Sequence, residues 1–136
     1  MTDPTSAERW SLILAALNGF LAVACGAFGA HGLKGKLGAL ADGAQRLGWW
    51  ETAAQYQLAH ALALGLSAHL IARGGAGAGG IAVWSFAGGI ALFSGSLYAM
   101  TLTGVRTLGA VTPIGGLLLL VGWSALLVAA WGLHAG

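Results

Sequence analysis

Charge is scarce in this chain. Six basic and four acidic residues are spread over 136 positions, whereas roughly a quarter of the residues in a soluble domain are charged. So few cannot cover the water-facing surface of a domain this long. The six Lys and Arg lie scattered from Arg9 to Arg106 without a basic run, which argues against a nucleic-acid partner. Cysteine is down to one residue, Cys25, in an apolar stretch, so no intramolecular disulfide can form and a thiolate zinc site is not expected. Cys25 reads as a small buried residue. What the chain has instead is apolar mass and glycine: 57% of its residues are hydrophobic and 24 are Gly, a mixture that fits lipid better than water because membrane helices tolerate glycine. The segment before the first apolar run carries Asp3, Glu8 and Arg9, the wrong order for a cleaved signal peptide, so the first apolar segment is expected to be retained.

A helix that crosses a membrane needs about 20 mainly apolar residues. Four stretches of the chain meet that length: Trp10 to Ala30, Ala53 to Ala72, Ile81 to Leu102, and Pro113 to Gly132. The expected fold is therefore all-α, a single transmembrane domain over residues 1–136 with four spans in an antiparallel bundle. Thr112 and Pro113 suit an N-cap and a first helical turn, and they set the start of the fourth span. The Gly-rich stretch from Ala72 to Gly80 reads as a short turn that makes spans two and three antiparallel neighbours. Between spans one and two, Leu37, Leu40, Ala44 and Leu47 recur at helical spacing among Asp42, Gln45, Arg46 and Glu51, the pattern of a short helix lying in the interface. Trp49 and Trp50 follow it at headgroup level.

The first and third loops hold Lys34, Lys36, Arg46 and Arg106, and the opposite side holds Arg9 and Arg73. That bias places the two basic loops in the cytoplasm and both termini outside. Lipid gives helices no hydrophobic reason to associate, so close crossings are expected at small residues. Ala22, Gly26 and Ala30 in span one, and Ala91, Gly95 and Ala99 in span three, form two such ridges, for crossings within the bundle or between protomers.

Polar side chains at membrane depth are functional candidates by default. Span two carries most of them, with Gln57, His60 and Ser67 on one helical face. At helical rise His60 lies about 10 Å in, bracketed by Tyr98 at about 6 Å and Ser94 at about 12 Å on span three. His31, Arg106 and Thr112 belong to the same membrane half, so His31, Gln57, His60, Ser94, Tyr98, Arg106 and Thr112 form the candidate cluster. Asn18, Ser67, His69 and Ser85 fall in the sparser half. Two functional readings follow: His31 and His60 holding a metal or haem, or His60 with Tyr98 and Gln57 forming a proton or ligand site. Against both, the spans hold no carboxylate, no His-x-x-x-His and no Cys and His pairing. The structural alternative is that His60 and Gln57 hydrogen-bond across helices while His31 caps span one, and His69 and His134 sit near helix ends.

GAFGAHGL (Gly26 to Leu33), QYQLAHALAL (Gln55 to Leu64), LFSGSLY (Leu92 to Tyr98) and LGAVTPIGGLLLLVGW (Leu108 to Trp123) together resemble the small membrane-protein family designated domain of unknown function 423. The resemblance runs in order from about Leu14 to Ala130. It implies an integral membrane protein of about four spans and assigns no activity. The family's recurrent residues fall on Gly29, Ala30, His31 and Gly32, then His60, Ser94 and Tyr98, then Pro113, Gly115, Gly116, Gly122 and Trp123. The resulting expectation is a multi-pass inner-membrane protein without catalytic activity, metal or cofactor. It would act as a homo-oligomer or as an accessory subunit among other membrane proteins. A small transporter or channel, or a redox subunit holding haem or quinone between His31 and His60, are the rivals.

Overall fold

Thr5 starts the first helix: its side-chain oxygen accepts from the backbone N–H of Glu8 at 3.2 Å, satisfying one of the free donors of the first turn. The computed structural model describes residues 5–133, and every regular element among them is helical. Helix α1 (Ser6–Phe28) widens into a π-helical turn (Gly29–Leu33) and ends in the one-turn α2 (Lys34–Leu37). Next come α3 (Gly43–Ala72), α4 (Ala76–Thr103), a 3₁₀ turn (Arg106–Ala110) and α5 (Thr112–Trp131).

Three segments among the described residues are long and apolar enough to cross a membrane: Ser6–Leu37, Ala76–Thr103 and Arg106–Trp131. The 30 residues of α3 have the length, but Gln55, Gln57, His60, Ser67 and His69 lower its apolar character below that of the other three. Gln57, His60 and Ser67 are buried against neighbouring helices while Gln55 and His69 are exposed, and the interior row of Ala53, Leu64 and Ser67 is fully covered. On α1 and α5, by contrast, Phe20, Leu117, Leu120 and Leu127 point outward, as a lipid-facing surface requires.

Each long helix packs chiefly on its predecessor: α3 on α1, α4 on α3 and α5 on α4. Lighter contacts join α1 to α4 and α3 to α5, while α1 and α5 do not touch. The expected bundle is thus an open row, with two shallow grooves between the lightly contacting pairs. The pairing is antiparallel and its register is visible in specific contacts. Ser11 Oγ donates to the Leu64 carbonyl at 2.6 Å, Gln57 Nε2 to Asn18 Oδ1 at 3.1 Å, and Trp50 Nε1 to the Cys25 carbonyl at 2.7 Å. These three bonds advance by seven residues on α1 and retreat by seven on α3, the repeat that keeps one seam facing its partner. Between α3 and α4 the same step separates the reciprocal pair Arg46 and Thr101 (2.8 and 2.9 Å) from Ser94 Oγ and the Ala53 carbonyl (2.8 Å).

The α4 and α5 seam depends on missing side chains. A Cβ on Gly115 would meet the Phe93 nitrogen and lie 2.8 Å from its Cα, so the two backbones are in contact there. Gly89 faces Leu119 and Gly122 faces the Phe86 ring in the same way. By contrast, Gly26 and Gly95, the centres of the two expected ridges, have nothing within 4 Å beside them in the chain. Of the flanking alanines only Ala22 is buried; Ala30 and Ala91 are exposed and Ala99 is half-buried. Within the chain these two ridges are not the sites of closest approach.

Three boundaries differ from expectation. The stretch Lys34 to Glu51 is not one separate helix: α2 covers its first turn, and from Gly43 onward it is the start of α3. Arg46 locks those residues into the long helix by bonding Thr101, which overrides the amphipathic pattern. The Gly-rich stretch is shorter as a turn, because α4 already begins at Ala76. Gly79 there lets the helix close on Ile71, whose Cγ1 would lie 2.6 Å from an added Cβ. Pro113 does sit in the first turn of α5, but Thr112 is itself helical and makes no cap, its hydroxyl bonding Ser96 at 2.6 Å instead.

Candidate functional site

Helix α3 divides the buried polar groups into two sets, one on each side. On the α1 side, Tyr98 Oη donates to Gln57 Oε1 at 2.8 Å, Gln57 donates onward to Asn18, and Asn18 Nδ2 donates to the Leu14 carbonyl at 2.9 Å. The Tyr98 ring lies 4.5 Å from Trp50, which packs edge-on to Phe28 at 5.6 Å. One chain of contacts thereby joins α1, α3 and α4. Gly29 makes room for it, because a Cβ there would lie 2.6 Å from the Trp50 ring. The π turn begins at Gly29, one helical turn past Cys25, whose carbonyl accepts from both the Gly29 backbone N–H and the Trp50 indole.

On the other side sits His60. Its Nδ1 lies 2.7 Å from the Tyr56 carbonyl and its Nε2 accepts from Trp123 Nε1 at 3.1 Å. A carbonyl can only accept, so Nδ1 carries the proton and Nε2 presents its lone pair to the indole. The ring is neutral with both nitrogens engaged, inside an aromatic set of Tyr56, Phe86 and Trp123 at centroid distances of 5.8, 5.6 and 5.9 Å. A groove of about 590 Å³ opens between α3 and α5 beside this set. The second groove, about 250 Å³, lies between α1 and α4 and is floored by Asn18, Gln57, Ser94 and Tyr98.

The seven residues of the candidate cluster are therefore separated. Gln57 and Tyr98 are bonded to each other, and Ser94 lines the same groove while its hydroxyl serves Ala53. His60 has its direct partners elsewhere, in Tyr56 and Trp123. Thr112 pairs with Ser96. Arg106 donates to Gln45 Oε1 at 2.8 Å, stands 3.7 Å from Asp42 and lies over the Trp49 ring at 5.5 Å. His31 is exposed on the π turn. His69 is exposed near the end of α3, and His134 lies outside the described residues. Asn18, assigned by depth to the other membrane half, belongs with Gln57 instead. Trp123 is the partner that spacing within single helices did not supply. Its depth was a usable signal, since it lies ten residues, or about 15 Å, along α5 from Pro113. Among the described residues no group of three His, Cys, Asp or Glu is placed to share a metal, and no buried side-chain nitrogen or oxygen lacks a partner.

Long apolar helices with outward hydrophobic faces and inward, fully paired polar groups define a multi-pass membrane protein. Residues 25–116 match the family described as "Protein of unknown function (DUF423)", and the chain belongs to that family. It is 45% identical over 120 residues to the UPF0382 membrane protein YwdK of Bacillus subtilis, covering 88% of this chain and 94% of that one. It is 42% identical over 130 residues to the UPF0382 inner membrane protein YgdD of Escherichia coli, covering 90% of each. A UPF0382 membrane protein of Staphylococcus epidermidis is 48% identical over 118 residues, 87% of this chain and 92% of that protein. No solved structure matches the chain. With these relatives, the chain is a multi-pass inner-membrane protein.

Proposed function

We propose that the chain is a four-span, non-catalytic component of a membrane assembly, whose buried polar residues hold its helices in register. The observation that carries this is the complete pairing of those residues: Gln57, His60, Ser94, Tyr98 and Thr101 all spend their polar atoms on other helices or on backbone carbonyls. A catalytic or ligating group needs a free atom at its site. The haem or quinone reading asks His60 for a lone pair that Trp123 already occupies, and asks for His31, which is exposed on another part of the chain.

Helix α3 is the fourth span in this reading, because it is bonded to α1 from Ser11 to Cys25 and so runs through the same thickness. The turn of α2 and the loop to Gly43 stay at the interface. The four-to-two bias of basic residues supports a cytoplasmic position for this end and an outside position for both termini. Ala91 and Gly95 border the α1 and α4 groove, Ala91 exposed and Gly95 with nothing within 4 Å of an added Cβ, and together with Ala99 two turns beyond Ala91 they suit a second copy or another subunit.

Two measurements test this. Reporter fusions at Gly136 are expected to signal outside the cytoplasm, and a cytoplasmic signal overturns the orientation. For assembly, Gly95→Cys in a Cys25→Ala background is expected to give an oxidant-dependent dimer in native membranes, or a cross-link to another protein identified by mass spectrometry. A strictly monomeric product at ordinary expression would sink the oligomeric or accessory role.

A further inference from the structure

We propose that the groove between α3 and α5 is a binding site for one acyl chain of an anionic phospholipid. The inference rests on the four-span reading above and extends it to a ligand. The groove is walled by Tyr56, Phe93, Gly116, Leu120 and Trp123, with His60 at its floor. Both nitrogens of His60 and the indole N–H of Trp123 are used between themselves and the Tyr56 carbonyl, so apart from the Tyr56 hydroxyl the walls present carbon and ring faces to an occupant. A hydrocarbon matches such walls, since burying apolar surface needs no hydrogen bond.

Length and position agree. The α5 wall runs from Pro113 to Trp123, about 15 Å at helical rise, which is half of a hydrocarbon core of about 30 Å. The groove is thus one leaflet deep and opens sideways to that leaflet. The stacked pair Tyr56 and Phe93, 4.4 Å between centroids, forms its back. No side chain stands at position 116, where an added Cβ would meet only the Phe93 ring, at 3.8 Å.

The headgroup end supplies charge. Along α3, Trp49, Tyr56 and His60 fall at steps of seven and four on one face, and the Arg106 guanidinium lies over Trp49, two turns above Tyr56. The Arg106 side chain is 58% exposed. It shares the carboxylate of Asp42 with Arg46, and with Glu51 counted this end of the molecule holds two carboxylates against Lys34, Lys36, Arg46 and Arg106, a net positive charge. A phosphate at that level completes the fit, as at basic pockets that bind anionic lipid headgroups.

The test uses the full chain in phosphatidylcholine vesicles doped with phosphatidylglycerol that carries a diazirine at mid-chain. After photolysis the labelled residues are mapped by mass spectrometry. Labelling is expected to concentrate on Tyr56, Phe93 and the stretch from Gly116 to Trp123, with unlabelled phosphatidylglycerol competing and phosphatidylcholine not. Gly116→Leu, which fills the groove from a position with room for a side chain, should cut that labelling roughly tenfold or more, while Gly19→Leu on α1 should leave it unchanged. Arg106→Gln should reduce the preference for phosphatidylglycerol over phosphatidylcholine about fivefold, the factor one basic residue near an anionic surface contributes. Even labelling along the outer faces of α1 and α5, full labelling in Gly116→Leu, or an unchanged headgroup preference in Arg106→Gln would each overturn the proposal. The Gly136 fusions read topology independently, so failed labelling with the expected topology removes the lipid site and leaves the four-span reading standing.

Discussion

Replacing Gly115 by alanine asks whether α4 and α5 are held at backbone contact. The added methyl would sit 2.8 Å from Phe93 Cα, where ordinary contact begins at 3.4 Å, so α5 must retreat by more than half an ångström. A retreat there also loosens Leu119 from Gly89 and Gly122 from Phe86, since all three contacts share one seam. Inserting a methyl into a packed interior costs about 1 to 3 kcal/mol. Alanine returns up to about 1 kcal/mol through helix propensity, which blurs a comparison with the wild type. Gly116 removes that ambiguity. It sits next in the same helix, and its added Cβ meets only the Phe93 ring, at 3.8 Å, so Gly116→Ala gains the propensity without the clash. The difference between the two variants is then the packing cost alone, about 1 to 3 kcal/mol. Purified protein in dodecyl maltoside, unfolded by increasing sodium dodecyl sulfate and followed by far-UV circular dichroism, measures it. If Gly115→Ala is as stable as Gly116→Ala, the backbones are not in contact and the glycine seam has been misread.

The same titration reads two further variants. His60→Leu strands the Trp123 indole N–H and should lose about 1 to 3 kcal/mol, while His60→Gln, which can still donate and accept, should lose clearly less. Equal losses would show that the bond to Trp123 contributes nothing. Tyr98→Phe removes the donor to Gln57 Oε1 and should cost about 0.6 kcal/mol and at most about 1.7, the range for hydrogen bonds between membrane helices. A larger loss would mean that the network acts as a unit rather than as separate bonds.

Apolar runs of about 20 residues are a strong signal, and they revealed the cores of α1, α4 and α5 directly. They also revealed α3, although its glutamines and histidines dilute it, because those residues share faces. The neighbours of each face were harder to read. Periodicity places Ala91, Gly95 and Ala99 on one stripe of α4, but the stripe facing α5 carries Gly89 and Phe93, and composition does not rank two stripes of small residues. The shared face of His60 and its depth are legible in the sequence, yet its partner lies 63 residues away on a helix whose rotation no local pattern sets. The seven-residue repeat of Ser11, Asn18 and Cys25 is present in the sequence. Reading the opposing repeat of Leu64, Gln57 and Trp50 requires the pairing to be known first.

The open row has a consequence for how the protein is made. In the four-span reading proposed above the helices enter the membrane in chain order, and each long one meets its main partner in the long helix just before it, so the pairings are local and need no late rearrangement. Gln57 finds Asn18 as soon as α3 is in place, and Ser94 finds Ala53 with α4. His60 is the exception. Its Nε2 has no protein donor until α5, the last helix, brings Trp123. A chain that stops before α5 therefore leaves the Nε2 lone pair of His60 without a protein donor, so this one bond marks the arrival of the last helix.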